Sequence, residues 1–234
     1  DAGYRCIVPA LPGFGRSDKP TDLSWYTFDR MADSVATLVD ELGLEKATLV
    51  CHDWGGPIGL RVATLERPGK FSRIVAMNTG LFTGYQRMSD DWLHFRDFIA
   101  SHEDVRIAMP IQGGAGSELS DEVIAAYEAP FPTVPSKAGV RAFPPMIPMT
   151  PDAPGAAEGQ ATGAYLQTDT RPMMLFWGDK DLALPLDPVG RAVQKFFPNA
   201  APLTVLEGGG HFVQEDEGEF IGEEIVKFIA ANPV

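Results

Sequence analysis

The stretch Ala47-Thr48-Leu49-Val50-Cys51-His52-Asp53-Trp54-Gly55-Gly56 reads as an apolar strand that ends on one residue at a sharp turn and gives way to small residues opening a helix. This is the pattern of a nucleophile elbow, in which small residues flank the apex because the backbone is strained and crowded there. Cys51 and Gly55 take the flanking positions, and Asp53 stands at the apex where the usual elbow has serine. Taken alone, Asp53 serves equally well as the cap of the helix that follows.

Outward from the elbow, apolar runs of strand length recur at residues 4–8, 73–77, 173–177 and 203–206. Helical patterns separate them. Phe28, Met31, Ala32, Val35, Leu38, Val39 and Leu42 fall at helical spacing, with Thr27 as N-cap and Gly43 closing the helix. Phe220, Ile221, Ile225, Val226, Phe228 and Ile229 form a second stripe near the C-terminus. Short apolar strands alternating with amphipathic helices predict an α/β fold with a mostly parallel sheet covered on both faces. Two strand ends carry chemistry. Residues 173–177 run into Gly178-Asp179-Lys180-Asp181, and residues 203–206 run into Glu207-Gly208-Gly209-Gly210-His211-Phe212. Nucleophile, acid and histidine in that chain order, each just beyond a strand, is the order of α/β hydrolases, and such sheets gather their active groups at those ends.

The alternation breaks between about Leu81 and Leu166, a segment rich in Pro, Gly, Met and aromatics that holds helical fragments and no strand pattern. Its aromatic content argues against disorder. It reads as a cap over residues 82–165, with residues 1–81 and 166–234 forming the core, and residues 149–163, nearly all small or polar, read as a loop. An apolar content of 44% with 22% charged residues is that of a globular protein, and a net charge of −13 leaves no basic surface for nucleic acid. Cys6 and Cys51 sit in strand-like runs and are expected as buried, reduced thiols, which fits a cytoplasmic setting. The four histidines lack ligand spacing, so no metal is expected, and nothing calls for a cofactor. No run approaches the roughly 20 apolar residues that span a bilayer. The chain opens on Asp1-Ala2-Gly3-Tyr4, without an initiator methionine and directly before a predicted strand, and so reads as N-terminally truncated.

The chain resembles the haloalkane dehalogenase family over nearly its whole length. The resemblance lies in Val8-Pro9-Ala10-Leu11-Pro12-Gly13-Phe14-Gly15-Arg16-Ser17-Asp18-Lys19-Pro20, in the elbow Asp53-Trp54-Gly55-Gly56, and in Gly209-Gly210-His211-Phe212-Val213-Gln214-Glu215. The more specific pieces are the cap strings Ala126-Tyr127-Glu128-Ala129-Pro130-Phe131-Pro132 and Ala138-Gly139-Val140-Arg141-Ala142-Phe143-Pro144. The family places its acid after either of two strands. Here the run 73–77 leads into Asn78-Thr79-Gly80, without a carboxylate, so the resemblance implies Asp181, three residues after the glycine, with Asp179 as the neighbouring alternative. The family's opening strands and its His-Gly loop have no counterpart, which predicts a gap in the sheet or direct pairing across it, and low stability and activity relative to a complete parent. Ala10 stands where the wider superfamily often has an acid, and this change has no functional account.

A carboxylate at the apex implies attack on a saturated carbon bearing a leaving group, giving an alkyl ester of Asp53 that water then cleaves with His211 as general base and Asp181 as its partner. The expected partners are a small apolar organic substrate and water. A halide leaving group needs weak donors in a dry pocket. Trp54 fits that need and also offers its backbone N–H to an oxyanion. The family's second donor is often a cap tryptophan in a Phe-x-x-Trp pattern; Phe95 holds the matching position here, and Trp92 is the substitute. The alternative is epoxide hydrolysis by the same groups, with Tyr85, Tyr127 or Tyr165 as acid and His52 in its favour.

Overall fold

The computed structural model describes residues 2–234, with Asp91 by its main chain alone. Helix α1 (Phe28–Glu41) begins where Thr27, in extended conformation, accepts the backbone N–H of Arg30 through its hydroxyl. It ends before Gly43, whose φ of 57° turns the chain toward β1 (Ala47–His52). Helix α2 (Gly55–Arg61) follows, continues through a π-helical turn over Val62–Glu66, and leads to β2 (Phe71–Met77). Between β2 and the next strand lie only helices and loops: α3 (Asp90–Ser101), α4 (Ala108–Gly114), α5 (Asp121–Glu128), α6 (Ala138–Ala142) and α7 (Ala156–Leu166). The chain then resumes its alternation with β3 (Met173–Gly178), α8 (Arg191–Gln194), β4 (Thr204–Leu206), α9 (Val213–Asp216) and α10 (Gly218–Ala231).

The sheet runs in the order β1-β2-β3-β4, with every pair parallel. Side chains of a strand alternate between its faces, and the core follows that period. Ile74, Ala76, Leu175 and Trp177 pack to one side with Leu60 of α2, Leu166 of α7 and Phe197. Val75, Met77, Phe176 and Leu206 pack to the other with Val213 of α9 and Ile221 of α10. All four strands run parallel, so their C-terminal ends share one rim, and the residues just beyond those ends, Asp53, Asn78 and Asp179 to Asp181, lie along it.

Three expectations are corrected. Residues 4–8 form no strand; Tyr4 is 48% and Val8 89% exposed. An apolar run becomes a strand only when a neighbour satisfies its backbone, and among the described residues the single strand paired with β1 is β2. Cys6, on that run, is accordingly exposed, while Cys51 is buried; both are free thiols. The expected loop at 149–163 contains most of α7. Its small residues are the reason it packs as a helix: Ala156, Gly159, Thr162, Gly163 and Leu166 form its buried side, and a Cβ on Gly159 would overlap the carbonyl of Phe82. No helix among the described residues is long and apolar enough to cross a membrane.

Candidate active site

Asp53 is held at the tip of β1 with φ of 46°, a left-handed conformation that costs a non-glycine residue about 1 kcal/mol or more. The surroundings fix it there. Its N–H donates to the Asn78 carbonyl at 3.2 Å, and its own carbonyl accepts the Thr79 hydroxyl at 2.6 Å. The crowding expected at Gly55 lies one residue further on. A Cβ on Gly55 would make ordinary contact with Cys51, whereas one on Gly56 would overlap the Thr79 side chain. The Asp53 side chain keeps 41% of its surface open.

His211 stands between two carboxylates. Its Nδ1 lies 2.9 Å from Asp181 Oδ2, a hydrogen bond, and its Nε2 lies 3.5 Å from Asp53 Oδ1, an ion-pair distance. Burial by itself pulls the imidazole pKa down. The hydrogen bonds and charges of Asp181 and Asp53 outweigh it and push the value up to about 10. Burial likewise opposes the charge on Asp53, but His211, His52 and the Trp54 N–H hold its carboxyl below the ordinary range. Asp181 is buried and accepts four donors: His211 Nδ1, Asn78 Nδ2 at 2.7 Å, and the backbone N–H groups of Ala183 and Leu184 at 2.8 Å each. Asp179 lies elsewhere, accepting the N–H of Gly208.

Above the elbow sits an aromatic group. The Trp54 ring meets Phe82 at 5.0 Å and Phe143 at 4.8 Å between centroids, and Phe143 meets Phe14 at 4.7 Å. The Trp54 indole N–H has no hydrogen-bond partner among the described residues. This combination is a partly exposed carboxylate next to an aromatic group, a basic ring against it, and a second carboxylate behind the ring. It suits displacement at carbon followed by hydrolysis.

Residues 1–106 match the family model of the alpha/beta hydrolase fold. The haloalkane dehalogenase of the solved structure from Paraglaciecola agarilytica, described as tetrameric, superposes with a TM-score of 0.85 at 28% identity, covering 96% of this chain and 73% of that one. A haloalkane dehalogenase from Mycobacterium marinum is 35% identical over 97% of this chain and 75% of its own length. Another, from Psychrobacter cryohalolentis, is 39% identical over 99% of this chain and 76% of its own length. The chain belongs to the haloalkane dehalogenase family.

This haloalkane dehalogenase family member brings Asp53, Trp54, Asp181 and His211 together at the rim of the sheet. Trp92 sits on α3. It is half-buried on the same helical side as buried Ile99, with its ring against the Arg96 guanidinium. Sequence reasoning missed two contributors. Asn78, fully buried with φ of 35°, donates to Asp181 and accepts the Gly178 N–H at 3.1 Å. The signal was present: an asparagine sits at the strand end where the family's other branch carries its acid. His52 carries the second contribution, its Nε2 lying 2.7 Å from the His211 carbonyl.

Proposed function

We propose that this chain converts a haloalkane and water to an alcohol, a halide ion and a proton through an alkyl ester of Asp53. The observation that carries the reading is the position of His211, with one nitrogen on each of two carboxylates. In the first step an Asp53 oxygen attacks the halogen-bearing carbon, and the halide leaves with the bonding pair. The Trp54 indole N–H, free of other partners, is the donor we assign to it. Trp92, whose indole N–H is also unpartnered among the described residues, is the second donor we assign. In the second step His211 Nε2 takes a proton from water, and the hydroxide attacks the ester carbonyl. The tetrahedral intermediate collapses to the Asp53 carboxylic acid and an alkoxide, and the acid proton passes to the alkoxide, leaving the alcohol, the Asp53 carboxylate and a protonated His211. The Trp54 backbone N–H is the donor assigned to the oxyanion.

Ester formation also prepares the base. Free Asp53 helps hold His211 protonated; once alkylated it carries no charge, so the imidazole pKa falls and the ring releases its proton. The helices of residues 82–165 are read as the cap, with Phe82 and Phe143 as its contribution over Trp54.

Epoxide opening would need an acid near Asp53. The Tyr26 and Tyr127 hydroxyls donate to Pro20 and Glu215, burial and Glu215 push the Tyr127 pKa up to about 12, and Tyr4, Tyr85 and Tyr165 are exposed. Halide release from a panel of small bromoalkanes tests the reading, with Asp53→Asn as control. Release that disappears in the control is expected. Absence of release, with diol formed from styrene oxide, would overturn it.

A further inference from the structure

The loop that carries His211 is gripped from the far side by a short piece of chain about 100 positions earlier in sequence. Gly114 ends α4, and its carbonyl accepts the His211 N–H at 2.6 Å. The Asp216 carboxylate closes the grip. Its Oδ2 accepts the N–H groups of Gly116 at 2.9 Å and of Gly210 at 2.8 Å. Its Oδ1 accepts the N–H of Ser117 at 2.9 Å and the Ser117 hydroxyl at 2.6 Å. One carboxylate thus binds two segments at once: the turn after α4 and the residue just before His211.

The fit is main chain against main chain. A Cβ on Gly116 would overlap the Gly208 carbonyl, one on Gly210 would overlap the Gly114 carbonyl, and one on Gly114 would press into the Phe212 ring. Three glycines make this approach possible, because any side chain would separate the segments. Nearby, Tyr127 of α5 donates to Glu215 at 2.6 Å, a second tie between the same two regions. The contacts also account for the main chain of His211. Its N–H is taken by Gly114, its carbonyl by His52, and the N–H before it by Asp216. A rigid backbone at this point sets where the imidazole can stand, and displacements of about 1 Å cost on the order of a hundredfold in rate.

We propose that Asp216 is a positioning residue: by clasping the turn at 116–117 to the His211 loop it aims the imidazole for the hydrolysis step. The inference rests on the function proposed above. It makes a distinction that a purely structural anchor would not. Asp53 performs the displacement, while His211 is needed only afterwards. Opening the clasp therefore slows ester hydrolysis and leaves ester formation nearly unchanged.

The test is quenched-flow measurement of bromide from 1-bromobutane with wild type, Asp216→Asn and Gly116→Ala. The second variant opens the clasp sterically and leaves the carboxylate in place, so it carries the test if Asp216→Asn does not fold. A first-turnover burst of one bromide per chain is expected, at a rate within about twofold of wild type. Turnover after the burst should be about 10- to 100-fold slower. kcat and KM fall together, leaving kcat/KM within about threefold of wild type. Equal slowing of burst and turnover, or no slowing of either in a folded variant, overturns the proposal. Wild type that releases no bromide at all would instead overturn the function on which it rests.

Discussion

His52 and His211 are joined through a main-chain group: the His52 Nε2 lies 2.7 Å from the His211 carbonyl. A carbonyl only accepts, so His52 is the donor, and the ring holds that role as a neutral imidazole. Burial, aided by the positive charge of His211, depresses its pKa. The residue before the proposed nucleophile therefore holds the main chain of the residue assigned as base. Replacing His52 by Ala removes the donor and is expected to lower kcat about tenfold, the usual worth of one buried hydrogen bond. His52→Gln restores an N–H donor and should stay within about threefold of wild type. Equal losses in steady-state assays of the two variants would assign the effect to ring volume instead.

The raised pKa of His211 predicts how stability varies with pH. Its folded value of about 10 exceeds the ordinary 6.5, so the folded protein holds this proton more tightly than the unfolded chain. The resulting stabilisation is complete below about pH 6.5 and fades as pH rises through 10. Asp53→Asn removes one of the two carboxylates that hold the proton, so the decline should begin at lower pH. Thermal unfolding at a series of pH values, with NMR titration of the His211 ring, checks this; superimposable curves for the two proteins would refute it.

Asn78 is expected to matter for stability and turnover alike. Its amide ties Asp181 to the N–H of Gly178, and its backbone is left-handed, which asparagine tolerates better than alanine. Asn78→Ala leaves one Asp181 oxygen short of a donor and should destabilise the protein by about 2–4 kcal/mol. Turnover should fall about 10- to 100-fold as Asp181 loosens behind His211. Urea unfolding and bromide release are the two readouts. A variant with unchanged midpoint and rate would remove Asn78 from the site.

Gly159 offers a prediction whose sign separates two effects. Inside a helix, Gly→Ala ordinarily stabilises by about 1 kcal/mol. At this position the added Cβ would overlap the Phe82 carbonyl, and Phe82 in turn packs on Trp54. Gly159→Ala should therefore destabilise, by about 1–3 kcal/mol. A melting temperature above that of wild type would show that the α7 contact yields easily.

Features with a local cause could be read from the sequence. The four strands that pair, the Thr27 cap and the elbow each follow from side chains near in sequence. What depends on distant partners could not. Residues 4–8 carry a strand pattern, but a pattern does not supply the neighbouring backbone that a strand requires. Residues 156–166 carry no amphipathic signal, because a helix lying this close to its neighbours is built from glycine and alanine and shows no contrast between faces. Three of the four donors in the Asp216 clasp are backbone N–H groups, which the identity of a residue does not reveal.

The aromatic group around Trp54 has an evolutionary consequence. Phe14, Trp54, Phe82 and Phe143 come from four separate stretches of the chain, and of these Trp54 alone adjoins Asp53, the proposed nucleophile. Selection can thus reshape this aromatic group from three independent places, one mutation at a time, while the proposed chemistry beneath stays intact. Descendants of such a chain would diverge first in which molecules they accept and last in how they transform them.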